Sequence, residues 1–486
     1  MSNAVEKNNW IELQGLANAS VDVITKLIHE RKVSCEELVH HYFDTIEKQQ
    51  SLNAFISTDK ASAIQQAQYW DKYLLSGKPC PALMGVLIAV KDNIHVEGFP
   101  NSAGTPALAH FKPQSSAPII QKLIDHGAII VGKTNMHELA FGVTGYNTAM
   151  HIEGVVGTRN AVNPLHIAGG SSSGSAVAVA AGMVPIAIGT DTGASVRLPS
   201  ALNGCVGFRP TVGRYSQECI TPISHTRDTA GPMAHTISDI ILIDQLITQE
   251  PRKKPLQPHQ IRLGINPYFW NHLDEDVHQQ ANIALGLLKD AGVEIINVDM
   301  PNLEQLNHAI SFPVVVYEGK YDLIQYLKHH HIDLTLESVI DQISSPDVQA
   351  LFKQNILPQL IQDQTGQFVP VLPLYEKAMR EVRPQLLELY QKTFRAYNLH
   401  ALLFPTSAIV APLVNEQVSS IENFQTLIRN TDPGSNIGLP GLSLPIGKGA
   451  KSQLPIGLEI DGLPHQDSEI LAIGMTLEEI FKVLNK

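Results

Sequence analysis

Charge and sulfur are both scarce in this sequence. Charged residues make up 17% of 486 positions, where an ordinary globular chain has roughly a quarter. With 44% hydrophobic residues, that shortage argues against disorder and for a large buried core. Basic residues number 35 against 47 acidic ones, a formal net charge of −12, and no long basic run occurs. The cationic footprint that a nucleic-acid partner requires is therefore missing. Four cysteines, Cys35, Cys80, Cys205 and Cys219, form no C-x-x-C pair. They argue against a disulfide framework and for a reducing, cytoplasmic setting. No apolar run is long enough to cross a bilayer; the longest, around 176–188, is broken by Gly182 and Pro185. Residues 1–20 hold acids and asparagines and no apolar h-region, so no signal peptide is expected.

What is present alternates between helical and strand-like patterns. Val33–Leu38 reads as a helix start, with Ser34 as N-cap, Glu37 reaching back and Val33 stapling Leu38. From Met84 onward, the apolar runs "GVLIAVKD" (85–92), "GAIIVGK" (127–133) and "VPIAIGTD" (184–191) read as buried parallel strands. Helical segments at 117–126 and 175–182 lie between them, and this alternation predicts an α/β sheet covered on both sides. Further strands are expected at 261–266 and 292–300 around a helix over 277–291. The stretch 303–397 reads as amphipathic helix, and 401–407, 441–447 and 454–462 return to strand. No internal repeat or low-complexity linker separates these parts. The expectation is one domain over 1–486: a helical section at about 20–80, a core at 85–235, a helical insertion at about 303–397 that shapes a pocket, and a C-terminal return over 401–486.

Two clusters of small and hydroxyl residues stand close together, "GGSSSGS" (169–175) and "GTDTGASVR" (189–197). Residues 170–174 match G-x-S-x-G, which would make Ser172 an α/β-hydrolase nucleophile with a later acid and a histidine such as His465. Any serine-rich loop leading into a helix can produce so short a match. No lysine follows Gly174 to grip a phosphate. "IAVK" (88–91) imitates a kinase strand, but no glycine-rich loop precedes it and no H-R-D or D-F-G follows. Lys91 closing an apolar strand is either a solvated strand end or a buried base. "NMHEL" (135–139) opens like a zinc helix, yet Phe141 stands where a second histidine belongs. "KHHHID" (328–333) reads as an exposed polar corner, and Cys205 as a small buried residue. No metal or cofactor is expected.

Taken together, Lys91 and the two clusters resemble the amidase signature family. The likeness continues through "NGCVGFRPTVGRYS" (203–216), "RDTAGPMAHT" (227–236), "ALLFPTS" (401–407) and "LPIGLEIDG" (454–462), and is densest between 85 and 235. The resemblance implies an α/β fold with a large mixed β-sheet core covered by helices on both sides. It also implies a Ser–cis-Ser–Lys triad: Ser195 as nucleophile, Ser171 as the bridging serine on a cis peptide, and Lys91 as base. Ser171 and Ser195 stand 24 residues apart, as the family pattern requires. The backbone N–H groups of Thr192, Gly193 and Ala194 are expected to form the oxyanion hole. Asp191 and Arg197 are expected to pair and brace the loop, with Ser172 and Ser173 extending the hydrogen-bond network. Ala194 replaces the glycine most members carry; with "HTRDTAGP" (225–232) it is similar to the branch of indoleacetamide and mandelamide hydrolases.

The chemistry accounts for the residue types. An amide carbonyl is unreactive, so a hydroxyl nucleophile must lose its proton as it attacks. At its reference pKa only about one lysine in a few thousand is neutral at pH 7, and lowering that pKa by about three units corresponds to about 4 kcal/mol. Burial and the N-terminus of the helix opening after Gly174 are expected to supply it. The implied reaction is hydrolysis of a small primary amide, an arylacetamide such as indole-3-acetamide among them, to carboxylate and ammonia. Phe141, Tyr146, Phe312 and Tyr317 are the expected aromatic pocket walls. The alternatives are an amidotransferase subunit delivering ammonia to a partner, a hydrolase of urea-like amides, and an inactive scaffold kept for binding; the filled triad weighs against the last. The expected partner is a small-molecule amide, with no nucleic acid and no membrane; a homodimer is compatible with the sequence.

Overall fold

The computed structural model describes residues 16–363 and 365–485; most of the segment read for a signal peptide, residues 1–15, lies outside them. One sheet of eleven strands organises the chain. Its strands are β1 (Phe55–Thr58), β2 (Leu87–Lys91), β3 (Ile129–Thr134), β4 (Ile186–Asp191), β5 (Val206–Arg209), β6 (Thr229–Ala234), β7 (Arg262–Ile265), β8 (Glu294–Asn297), β11 (Ala401–Pro405), β12 (Gly441–Lys448) and β13 (Pro455–Asp461). The spatial order is β1-β3-β2-β4-β6-β5-β12-β13-β11-β7-β8. β9 (Leu360–Gln362) and β10 (Phe368–Pro370) form a separate antiparallel pair inside the stretch expected to be mostly helix.

β2 runs parallel to β3 and β4, in keeping with apolar runs buried on both faces. From β4 through β6, β5, β12, β13 and β11 the pairing is antiparallel, and β11, β7 and β8 are parallel again. The sheet is therefore mixed. β5 and β6 stand in stretches read only as family motifs, because Gly207, Arg209, Gly231 and Pro232 interrupt any apolar pattern. Both strands are nonetheless buried throughout.

The pleat decides where the chemistry falls. Alternation along β2 sends Ile88 and Val90 into one core and Leu87 and Ala89 into the other. Lys91 continues the second set, on the face covered by the helix Ser173–Ala180, whose Ala176, Val177, Ala178 and Val179 share that core. The helix sits this close because its side chains are small. A Cβ on Gly174 would lie 2.1 Å from the Ala54 carbonyl oxygen and 2.6 Å from the Asn135 nitrogen, so only glycine fits there.

The helix Cys35–Lys48 starts with the expected reciprocal cap: Glu37 N–H donates to Ser34 Oγ (3.1 Å), and Ser34 N–H donates to the Glu37 carboxylate (2.8 Å). The insertion opens with a long helix, Leu303–His329, and closes with another, Arg383–Tyr397. Among the described residues, no helix is long and apolar enough to cross a membrane.

Candidate active site

Lys91 is fully buried, and its Nζ touches hydroxyls. It lies 2.7 Å from Ser171 Oγ and 2.7 Å from Thr190 Oγ1, with the Thr190 carbonyl oxygen at 3.4 Å. Burial lowers its pKa to about 7, a pull that Asp191 and Asp228 only partly oppose. The Gly170–Ser171 peptide is cis. Thr190 Oγ1 also accepts from Asn93 Nδ2 (3.2 Å), so the lysine's second contact is itself held. Sequence reasoning missed Thr190 and Asn93; the only signal was that each stands next to a charged motif residue.

The two serine-bearing clusters lock together. Ser172 N–H donates to the Ser195 carbonyl oxygen (3.1 Å), while Ser172 Oγ donates to the Thr190 carbonyl oxygen (3.0 Å) and accepts from Thr190 N–H (3.2 Å). Ser172 is thus a pin between β4 and the helix, with its hydroxyl engaged both ways. A Cβ on Gly189 would lie 2.7 Å from that hydroxyl, which explains the glycine in β4. Ser173 Oγ lies 3.1 Å from Thr158 Oγ1. Ser195 lines the cavity beside Thr192, Gly193 and Ala194. The backbone N–H groups of residues 192–195 meet no protein acceptor among the described residues. Ala194 is absent from the positive-φ residues and packs with Val143, Leu198 and Ile428, so alanine costs no backbone strain.

Below the loop, Asp191 takes two bonds from the Arg197 guanidinium, from Nε and Nη2 at 3.1 Å each, and one from Arg209 Nη1 at 3.0 Å. Burial alone would raise the Asp191 pKa; Arg197 and Arg209 outweigh it and hold the carboxyl well below the usual range. Arg197 reaches on to Glu459 (2.5 Å) on β13 and to Ser435 Oγ (2.7 Å). The Asp191–Arg197 pair was expected from sequence. Arg209, on β5, was not, and neither were Glu459 and Asp461 (3.9 Å from Arg197 Nη1), since β13 lies some 260 residues further along the chain. Thr192 Oγ1 donates to Asp228 (2.6 Å), which also takes the Ile223 and Ser224 N–H groups; burial pushes this carboxyl up to about 6.

In front of Ser195 opens a cavity of about 390 Å³. Its wall is largely apolar, with Phe141, Val143, Ile223, Phe312, Leu351 and Phe424 among the lining side chains. A polar patch interrupts it where His137 Nε2 meets Asp347 (3.0 Å). Two expected wall residues lie elsewhere. Tyr317 follows Phe312 by five positions on one helix, which rotates it about 140° to another side, where it stacks on Tyr375 at 4.0 Å. Tyr146 packs behind the wall, in the cluster containing Val143 and Ile167, after the left-handed turn at Gly145. Phe424, Ile428 and Asp347 were missed: they come from short segments without a family motif.

The family model described as Amidase matches residues 37–471. A mandelamide hydrolase of Pseudomonas putida is 46% identical over 93% of this chain and 90% of its own length. An indoleacetamide hydrolase of Agrobacterium vitis is 40% identical over 93% of this chain and 95% of its own. Among solved structures, a crystal structure of an amidase superposes with a TM-score of 0.81 at 29% identity, covering 95% of this chain and 99% of the other.

Proposed function

This chain belongs to the amidase family and hydrolyses amide carbon–nitrogen bonds, and from that premise we propose that Ser195, Ser171 and Lys91 carry the reaction on a primary amide with an aromatic or apolar acyl group. The observation behind this reading is the contact between the buried Lys91 Nζ and Ser171 Oγ at 2.7 Å, with the lysine's pKa down at about 7. At neutral pH a large share of Lys91 is then uncharged and able to take a proton.

In the proposed sequence Ser195 Oγ attacks the amide carbon as its proton passes to Ser171 Oγ, whose own proton passes to Lys91 Nζ. The carbonyl π-bond opens, and the resulting oxyanion faces the N–H groups of Thr192, Gly193 and Ala194. Losing one such donor typically costs about 10²–10³ in rate. On collapse the proton returns from Lys91 through Ser171 to the leaving nitrogen, the C–N bond breaks and ammonia departs. The acyl group remains as an ester on Ser195. Water then attacks this ester by the same relay, releasing the acid and restoring all three groups. The Asp191–Arg197–Arg209 cluster positions the loop and touches no reacting atom.

The substrate class rests on the apolar wall around Phe141 and Phe312 and on the relatives' activities. Each buried ring or methylene contributes about 1–3 kcal/mol to discrimination, so indole-3-acetamide or phenylacetamide should exceed acetamide at least about tenfold in kcat/KM. Comparable efficiency on acetamide would overturn the substrate assignment and leave the triad standing. Ser195→Ala is expected to abolish ammonia release and labelling by a fluorophosphonate probe, with thermal stability unchanged; activity within about tenfold of wild type would overturn the nucleophile.

A further inference from the structure

Near the end of β2 that carries Lys91, three metal-binding side chains converge at a place the reaction does not use. His95 lies four residues beyond Lys91 and is 1% exposed; its backbone N–H donates to the Cys219 carbonyl oxygen at 3.0 Å. His330 follows the helix Leu303–His329, and its ring packs against that of His95 with centroids 4.6 Å apart. One ring nitrogen of each histidine and Cys219 Sγ all lie within 4.8 Å of one another. The expectation that 328–333 is an exposed corner therefore fails for His330, which is half-buried in this cluster.

The chemistry of the three suits a cation. His95 Nε2 lies 2.7 Å from Tyr326 Oη, and metal-binding imidazoles characteristically donate one N–H to such a partner while the other nitrogen binds. Neither the His330 ring nor Cys219 Sγ has a hydrogen-bond partner among the described residues. Two imidazoles and a thiol that becomes a thiolate on binding are a donor set for zinc.

We propose that His95, Cys219 and His330 form a site for a thiophilic divalent cation, Zn²⁺, and that filling it slows catalysis. Tetrahedral zinc with these ligands sets donor atoms roughly 3.3–3.6 Å apart, so binding draws together those donors that now stand further apart, by at most about 1.5 Å. The segments that move hold the surroundings of Lys91. Thr221 N–H donates to the Asn93 carbonyl oxygen (2.8 Å), and Asn93 Nδ2 donates to Thr190 Oγ1 (3.2 Å), the hydroxyl that contacts Lys91 Nζ. Tyr326 Oη lies 3.3 Å from Asn101 Nδ2, which donates to Thr221 Oγ1 (3.1 Å).

The test uses the full-length enzyme stripped by a chelator and titrated with Co²⁺, followed by Zn²⁺ competition and amide hydrolysis. The wild type should show a thiolate-to-cobalt charge-transfer band. Cys219→Ser should lose the band, and both Cys219→Ser and His330→Ala should weaken Zn²⁺ binding at least about tenfold. Saturating Zn²⁺ should lower the wild-type kcat about threefold or more and leave Cys219→Ser, as active as wild type without metal, unaffected. No band in the wild type, or a band that survives in Cys219→Ser, overturns the site. Zinc bound with unchanged kcat overturns the link to Lys91.

Discussion

Lys91 and Lys133 stand on adjacent parallel strands, Lys91 opposite Thr134 and Lys133 opposite Val90, and both are fully buried. Burial lowers the first to about 7 and the second to about 8. About one pH unit separates them, so titration does not choose between them; their contacts do. Lys133 Nζ faces a carboxylate, Asp92 at 3.5 Å, and also reaches Asn101 Oδ1 at 3.1 Å. Lys91 faces hydroxyls, one of them on Ser171, the proposed relay. A buried lysine beside an acid holds two segments together. A buried lysine beside a serine hydroxyl has a proton to exchange.

The sharpest way to break this comparison is to exchange the groups themselves. Lys91→Ala and Lys91→Arg should each lower kcat/KM by roughly 10³-fold or more, since arginine stays protonated and accepts nothing. An active arginine variant would mean that only the positive charge matters. Lys133→Met should act on stability instead: removing one partner of a buried pair costs about 3–5 kcal/mol in a urea denaturation, while the folded fraction keeps kcat within about tenfold of wild type. A variant as stable as wild type but inactive would reverse the two roles.

The pH profile sharpens the same point. In the proposed mechanism the neutral form of Lys91 is the active one, so kcat/KM should fall about tenfold per unit below pH 7 and level off above about pH 8. A flat profile between about pH 5 and 9 would contradict the base. Both lysines hold their protons less tightly folded than unfolded. Between their folded values, about 7 and about 8, and the ordinary 10.5, their contribution to stability therefore grows with rising pH. The smallest effect is expected from Thr190→Val, which removes one hydroxyl from Lys91 and should lower kcat about tenfold or less with little change in KM.

Much of this was legible from the chain alone. Runs such as 127–133 and 184–191 read as strands because burial on both faces leaves an unbroken apolar pattern. Ser171, Ser195 and Lys91 stood out because they sit inside long, specific motifs; the structure brings Lys91 Nζ to Ser171 Oγ and sets Ser195 on the cavity wall. The remainder depends on contacts between distant segments. Nothing near Arg197 announces Glu459, and Tyr317 was assigned to the pocket wall because a one-dimensional reading does not show which side of a helix meets a cavity. His330 escaped for the same reason: a polar run at a helix end reads as solvated unless His95 and Cys219 are brought beside it.

The cavity wall has a consequence for inheritance. Much of its lining arrives from 311–315, 347–355 and 419–428, while the proposed reacting groups lie between Lys91 and Ser195. A crossover between related genes near codon 300 would pass on the proposed bond-breaking half, with Phe141, Val143 and Ile223, beside a partly new wall. Appetite for a different acyl group then becomes a heritable trait separable from the ability to cleave an amide. The Asp191–Arg197–Glu459 bridge sets the limit on such exchanges, because any incoming C-terminal half must bring its own acid to meet the arginine.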